Sequence, residues 1–191
     1  KDVYGVVKVE YEEADGVKLQ GQVSIYSQSG GGINFAFSRE LRMSNRGVSY
    51  AVANTVNPGN AADRVENWVE LINVESTNRK FRVKLYDESG EVAKDYGWVR
   101  VKPYGEWDLA AGHETGLGQF LVEVTPEDAD GEYYASLSRY IKDAARGKYV
   151  AAVHSDFSVG AGTRRYLPVA DEGAGCRKLY LEMANPLRSS V

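Results

Sequence analysis

Apolar and polar residues alternate along most of this chain with a period of two. Val7, Val9 and Tyr11 alternate with Lys8, Glu10 and Glu12, and Val17, Leu19, Gly21, Val23 and Ile25 with Lys18, Gln20, Gln22 and Ser24. Phe81, Val83 and Leu85 alternate with Arg82, Lys84 and Tyr86, and Trp98-Val99-Arg100-Val101-Lys102 obeys the same rule. Successive side chains on a strand point to opposite faces, so such runs predict antiparallel sheets with one wet face. Turn signals separate them. Asp15-Gly16 and Asp130-Gly131 read as two-residue hairpin turns, because glycine tolerates the positive φ of a type I′ turn. Asp87-Glu88-Ser89-Gly90 predicts another turn, and Gly30-Gly31-Gly32 a flexible hairpin tip.

One stretch has a competing period. Tyr134, Leu137, Ile141 and Ala144/Ala145 are spaced like one face of a helix, and no strong breaker precedes Gly147. Its counterpart Val17–Tyr26 alternates as a strand does, so strand is expected here too, with room for a helical turn at Lys142–Arg146. The expected strands are then Trp68–Val74, Phe81–Tyr86, Val92 or Tyr96 to Val101, Gln119–Val124, Tyr133–Tyr140, Tyr149–Asp156 and Thr163–Val169, with a loop at Ala110–Gly116. Seven strands in about 110 residues predict an all-β fold, an antiparallel β-sandwich of immunoglobulin-like size. A single cysteine rules out the paired cysteines of antibody domains.

The chain also repeats itself. Val9-Glu10-Tyr11-Glu12-Glu13-Ala14-Asp15-Gly16 returns as Val122-Glu123-Val124-Thr125-Pro126-Glu127-Asp128-Ala129-Asp130-Gly131, with two residues inserted. Gly21–Tyr26 is echoed by Ala135–Tyr140, and Asn67–Val74 by Lys178–Pro186. The offset is 115 from Gly16 to Gly131 and 112 from Asn73 to Asn185, the length of a domain. The expected organisation is therefore tandem: residues 1–66 as the later part of one sandwich unit, 67–177 as a complete unit, and 178–191 as the opening strand of a further unit or an exchanged strand. Asn60–Asn67 and Asp171–Gly175 are the expected hinges. A partial sandwich leaves an open strand edge, which Leu179, Leu181 and Met183 of a neighbouring copy could fill by strand addition.

Composition narrows the function. With 43% hydrophobic and 26% charged residues the chain reads as a soluble globular protein, and its 13 tyrosines favour strands. The net charge of -4 is mixed along the sequence, so nucleic acid is not an expected partner. No apolar run is long enough for a membrane helix, and no membrane insertion is expected. No secretory signal is visible, which is uninformative for a chain that starts inside a unit. Cys176 reads as a small buried apolar residue, with an intermolecular disulfide or reactive thiol as the alternative.

Candidate chemistry is sparse. His154-Ser155-Asp156 contains the residue types of a hydrolytic triad, but adjacent strand residues face opposite ways, so no catalytic residues are expected there. Two histidines and one cysteine leave little for a transition metal. Asp128, Asp130 and Glu132, beside Glu127, form an acidic loop that offers oxygen ligands to calcium; Glu12, Glu13 and Asp15 form its counterpart. The Asp-Gly turn explains the same residues without a metal, and no cofactor is otherwise expected. Tyr96, Trp98, Tyr104 and Trp107 form the densest aromatic cluster, of the kind on which a sugar stacks. The alternative puts Trp98 in the core and Tyr104 and Trp107 as loop plugs.

Trp68-Val69-Glu70-Leu71-Ile72-Asn73, followed by Arg82-Val83-Lys84-Leu85-Tyr86-Asp87-Glu88-Ser89-Gly90, resembles the opening hairpin of bacterial surface β-sandwich repeats, in which an asparagine ends the first strand and a Tyr-Asp-x-x-Gly turn ends the second. Leu181-Glu182-Met183-Ala184-Asn185-Pro186 resembles the same opening. The resemblance implies an exported tandem repeat protein of the adhesin, stalk or surface-filament kind, located outside the cell or on its surface. The expected function is non-catalytic: a spacer or polymerising unit whose partners are neighbouring copies or units. A module binding surface glycan or protein through Tyr96, Tyr104 and Trp107 is the alternative.

Overall fold

Within the described residues the alternating segments from Gln22 onward fold as strands, and there is no helix. The structure, a computed structural model, describes residues 8–9, 20–29, 31–42, 44–57, 60–113 and 115–159. Within them lie β1 (Gln22–Ser29), β2 (Gly32–Glu40), β3 (Ser49–Asn54), β4 (Arg64–Asn73), β5 (Arg79–Tyr86), β6 (Val92–Val101), β7 (Glu106–Ala110), β8 (Gln119–Pro126), β9 (Tyr133–Lys142), β10 (Tyr149–Asp156) and β11 (Ser158–Val159). The protein is all-β, an antiparallel sandwich of a four-stranded sheet, β10-β9-β4-β7, and a five-stranded sheet, β11-β3-β8-β5-β6. Hairpin β1–β2 forms a two-stranded sheet of its own.

The period-two pattern decides what lies between the sheets. On β4, Val65, Asn67, Val69, Leu71 and Asn73 are buried; on β5, Phe81, Val83 and Leu85; on β8, Phe120, Val122 and Val124. These meet Tyr133, Ala135 and Leu137 of β9 in one core. Each fully buried large aliphatic or aromatic side chain contributes about 2 kcal/mol of transfer free energy, so this layer holds the two sheets together. Tyr133 stacks against Phe81 with ring centroids 5.2 Å apart, and its hydroxyl bonds the Gly47 carbonyl and the Ser49 hydroxyl, both at 2.7 Å. Burial pushes that phenol up to about 12.

Several expectations need correcting. Asp130-Gly131 does not turn a hairpin, because β8 and β9 lie in different sheets and the segment crosses between them. Gly131 has no positive φ; it is small because a Cβ would meet the Asp128 carbonyl at 3.1 Å. Trp107 lies on β7, not in a loop. The helical period after Tyr134 loses to strand, and β9 runs to Lys142 before a single turn closed by Gly147 N–H donating to the Asp143 carbonyl. The boundary drawn at residue 66 falls inside β4. β3, which precedes it, pairs with β8 along its whole length, so the sandwich takes strands from both sides of that boundary. Small inward residues (Ser49, Ala51, Ala53) had concealed β3 from a hydrophobicity reading. Asp15, Gly16, Thr163–Val169, Asp171–Gly175, Cys176, Leu179, Leu181 and Met183 lie outside the described residues.

The hairpin β1–β2 duplicates β9–β10. Tyr26 pairs with Ala36 as Tyr140 pairs with Ala152, Ser24 with Ser38 as Ser138 with His154, and Gln22 with Glu40 as Ser136 with Asp156. The irregularity also recurs. Asn34 is the extra residue opposite Ser27/Gln28, and Val150 the extra residue opposite Ile141/Lys142. A bulge inserts one residue at a defined point of a ladder, so sharing it at the same register is a structural fingerprint.

Candidate functional site

On β4, Trp68, Glu70 and Ile72 (the last also buried) alternate with the residues that face the core and lie on the other face, as do Tyr134, Ser136, Ser138 and Tyr140 of β9. The pairing aligns them in rows. Asp108 of β7, Glu70, Ser136 and Asp156 of β10 form one row across the sheet, and Trp68, Ser138 and His154 form the next. A wet outer face is the default for such a sheet. Here Ser136 and Ser138 are fully buried, because β2 lies alongside β10 and its Arg39 reaches across this face to Glu70 and Ser138.

Two arginines at the end of β2 make the contact. Arg39 forms a two-pronged pair with Glu70, Nη2 lying 2.6 Å from Oε1 and Nη1 bonding Oε2, and it also donates to Ser138 Oγ at 2.8 Å. Ser136 and Ser138 each donate to Glu70 at 2.9 Å. Arg42 pairs with Asp156 at 3.0 Å, and Asp156 also accepts the Tyr134 hydroxyl at 2.7 Å. Burial alone would raise the Glu70 carboxyl; the Arg39 guanidinium and the two serines outweigh it and hold Glu70 below its usual range. Asp156 is likewise held down by His154 and Tyr134 against its burial.

β7 adds the opposite perturbation. Glu106 and Asp108, two apart on this edge strand, share the outer face with Glu70. Burial first, then the Asp108 and Glu70 charges, push Glu106 up to about 7. Burial and Glu70 raise Asp108 as well. The arginine holds Glu70 in its charged form, while burial and the Glu70 charge disfavour the charged forms of Glu106 and Asp108.

The arrangement contains a serine–histidine–aspartate chain that sequence reading missed. His154 Nε2 lies 3.3 Å from Asp156, and His154 Nδ1 lies 3.4 Å from Ser138 Oγ, on the strand next door. Ser155 faces the other way, as expected. Ser138 is no nucleophile in this setting: it is fully buried, donates to Glu70 and accepts from Arg39. The whole network fastens two pieces of backbone together.

The sequence-derived candidates sit elsewhere. Asp128 accepts from Arg79 at 2.9 Å, and Glu132 accepts from Ser44 and from Arg46, so arginines sit on two of the three proposed calcium ligands. Among the described residues no cluster of three metal-binding side chains occurs. The aromatic cluster splits. Tyr96 and Trp107 pack against the core, whereas Trp98 is 50% exposed and Tyr104 is 52% exposed in the turn between β6 and β7. Trp98 is therefore outward, contrary to the core alternative, and the three ligand-binding candidates do not share a face. Tyr104 has φ 52°, a left-handed conformation that costs a non-glycine residue about 1 kcal/mol. The available signal for the outer-face network was Ser136 opposite Glu70 with Ser138 in the next row, since an acid among polar side chains on a covered face needs a counter-charge.

No family model and no curated protein matches the chain. A crystal structure of a Thermotoga maritima protein is similar, at 11% identity and a TM-score of 0.44, covering 62% of this chain and 97% of that one.

Proposed function

We propose that this chain is a non-catalytic segment of an exported tandem array, in which each sandwich is a rigid block and the network under hairpin β1–β2 is the joint between successive units. The observation that carries the reading is the duplicated hairpin. β1–β2 repeats the register and the bulge of β9–β10, so it stands as the closing hairpin of one unit, followed by a whole sandwich that begins near β3. The Arg39–Glu70 pair then links two units. A partly buried, doubly hydrogen-bonded ion pair has one good geometry, which suits a joint that limits bending. Its partners are neighbouring units or copies, and its place is the cell surface or outside the cell.

Hydrogen exchange on the whole chain tests this. The β1–β2 amides are expected to be protected in the native chain, and in Arg39→Ala to exchange at least tenfold faster while β4 and β9 stay protected. Free exchange of β1–β2 in the native chain would sink the joint.

A second reading, a glycan- or protein-binding module, is supported by Trp98 and Tyr104 at the β6 edge. Exposed aromatics stack on ligands, and strained backbone clusters at binding sites. Trp98→Ala and Tyr104→Ala, tested on a glycan array, separate it from the first.

A further inference from the structure

The outer face of the four-stranded sheet runs on past the Arg39 network. After the row of Trp68, Ser138 and His154 come Glu66, Tyr140 and Ala152, then Arg64, Lys142 and Tyr149. Alternation puts all of them on the face away from the core. Three aromatic rings therefore share this end of the sheet, on three adjacent strands. Trp68 and Tyr149 are each 38% exposed, although side chains of this size gain most from burial. Tyr140 lies diagonal to Trp68 across the β4–β9 ladder, within reach of its ring. It meets Tyr149 edge-on, with ring centroids 6.0 Å apart and planes at 68°.

The charges beside the rings do not cancel. Arg64 and Lys142 stand directly opposite each other, a like-charge pair that opposes sheet pairing. Glu66 is the carboxylate in these rows, and both its oxygens are engaged: Arg64 Nε donates to one at 3.1 Å and the Tyr149 hydroxyl to the other at 2.6 Å. Lys142 has no carboxylate among the described residues; its ammonium lies 5.6 Å from the centroid of the Tyr149 ring.

We infer that Trp68, Tyr140 and Tyr149 form a binding platform for an acidic polysaccharide, whose sugar rings stack on the aromatics while a uronic carboxylate settles between Arg64 and Lys142. A pyranose ring has apolar C–H faces and a hydroxyl rim, so it suits aromatic rings set among charged groups. A protein partner would call for a continuous apolar centre depleted of charge. Nucleic acid carries a charge at every residue and calls for a broad basic face, not one unmatched ammonium on a chain of net charge -4. The rings also stand on paired strands, and Tyr149 is held by Glu66 and Tyr140, so little side-chain freedom is lost on binding. The inference is independent of the array reading, since a rigid block can carry such a face. It lies on the other sheet from Trp98, the exposed aromatic of the second reading.

Calorimetric titration of the full chain with hexamers of galacturonic, glucuronic and mannuronic acid, and with their methyl esters, tests this. At least one acid is expected to bind about tenfold more tightly than its ester, and less tightly as salt is added. Trp68→Ala and Tyr149→Ala are each expected to weaken it about tenfold. Lys142→Gln, a change outside the core, is expected to weaken the acid about fivefold and leave the ester unchanged. Trp98→Ala is expected to change nothing. Absence of binding by all three acids would overturn the platform, and so would equal binding of hexaglutamate, which carries the charges without the sugar rings. Unchanged affinity for the acid in Lys142→Gln would remove the carboxylate site, whether or not the ring variants fold. Full binding by Trp68→Ala with loss in Trp98→Ala would overturn this face in favour of β6. The hydrogen-exchange test of the joint is untouched by any of these results, so the two readings fail separately.

Discussion

Glu70 shows how one charge sets the state of its neighbours. It is ionised because Arg39, Ser136 and Ser138 satisfy it, and its field, added to burial, is part of what lifts Glu106 to about 7. A carboxyl whose folded pKa lies above its unfolded value favours the folded state while protonated. That contribution is complete below the unfolded pKa, near 4.5, and is lost as pH rises to about 7. Glu106→Gln is therefore expected to leave the melting temperature unchanged near pH 4 and to raise it above pH 7, as thermal scans across that window would show. Glu70 has the opposite sign, since its depressed pKa adds stability that is lost as pH falls through the acidic range. Arg39→Ala leaves a half-buried carboxylate without its cation and is expected to cost about 3 kcal/mol at pH 7. Glu70→Gln in the same background should recover part of it. Additive effects in denaturant titrations of the two single variants and the double would refute the pairing.

At the scale of elements, asparagines do the work that turn motifs only hinted at. Asn73, at the end of β4, donates to the Thr77 carbonyl at 2.6 Å and the Lys102 carbonyl at 3.0 Å, and accepts from Glu75 N–H at 3.0 Å. It thus ties the β4–β5 and β6–β7 connections to one point, a physical reason for an asparagine at the end of that strand. Asn73→Ala removes these bonds from a buried side chain and leaves part-buried backbone groups without their partner, and is expected to cost about 2 kcal/mol, measured by the shift in the urea midpoint. Gly112 is the clearest glycine requirement: its φ is 82°, and a Cβ there would collide with the Phe120 ring. Gly112→Ala is expected to lower the melting temperature by several degrees, through backbone strain and overpacking together. Strands with large inward residues, such as β5 and β8, were legible from alternation. β3 and β7 were not, because one buries mainly serine and alanine and the other is five residues long behind a turn.

At the scale of the molecule, the described residues form a two-sheet sandwich with the hairpin β1–β2 held against its outer face through Arg39. If that is a joint in an array, Arg39→Ala should lengthen and loosen the particle. Small-angle scattering of the whole chain is expected to show a larger maximum dimension for the variant than for the native protein. The sequence by itself determined the all-β class and most strand positions among the described residues, because a period of two is a property of order along the chain. It could not decide which strands share a sheet: the same Asp-Gly signal serves a hairpin or a crossover, and only core packing distinguishes them. Nor could it find the outer-face network. Arg39, Glu70, Ser138 and His154 come from four strands, and their electrostatics exists only once tertiary contact has removed water from between them.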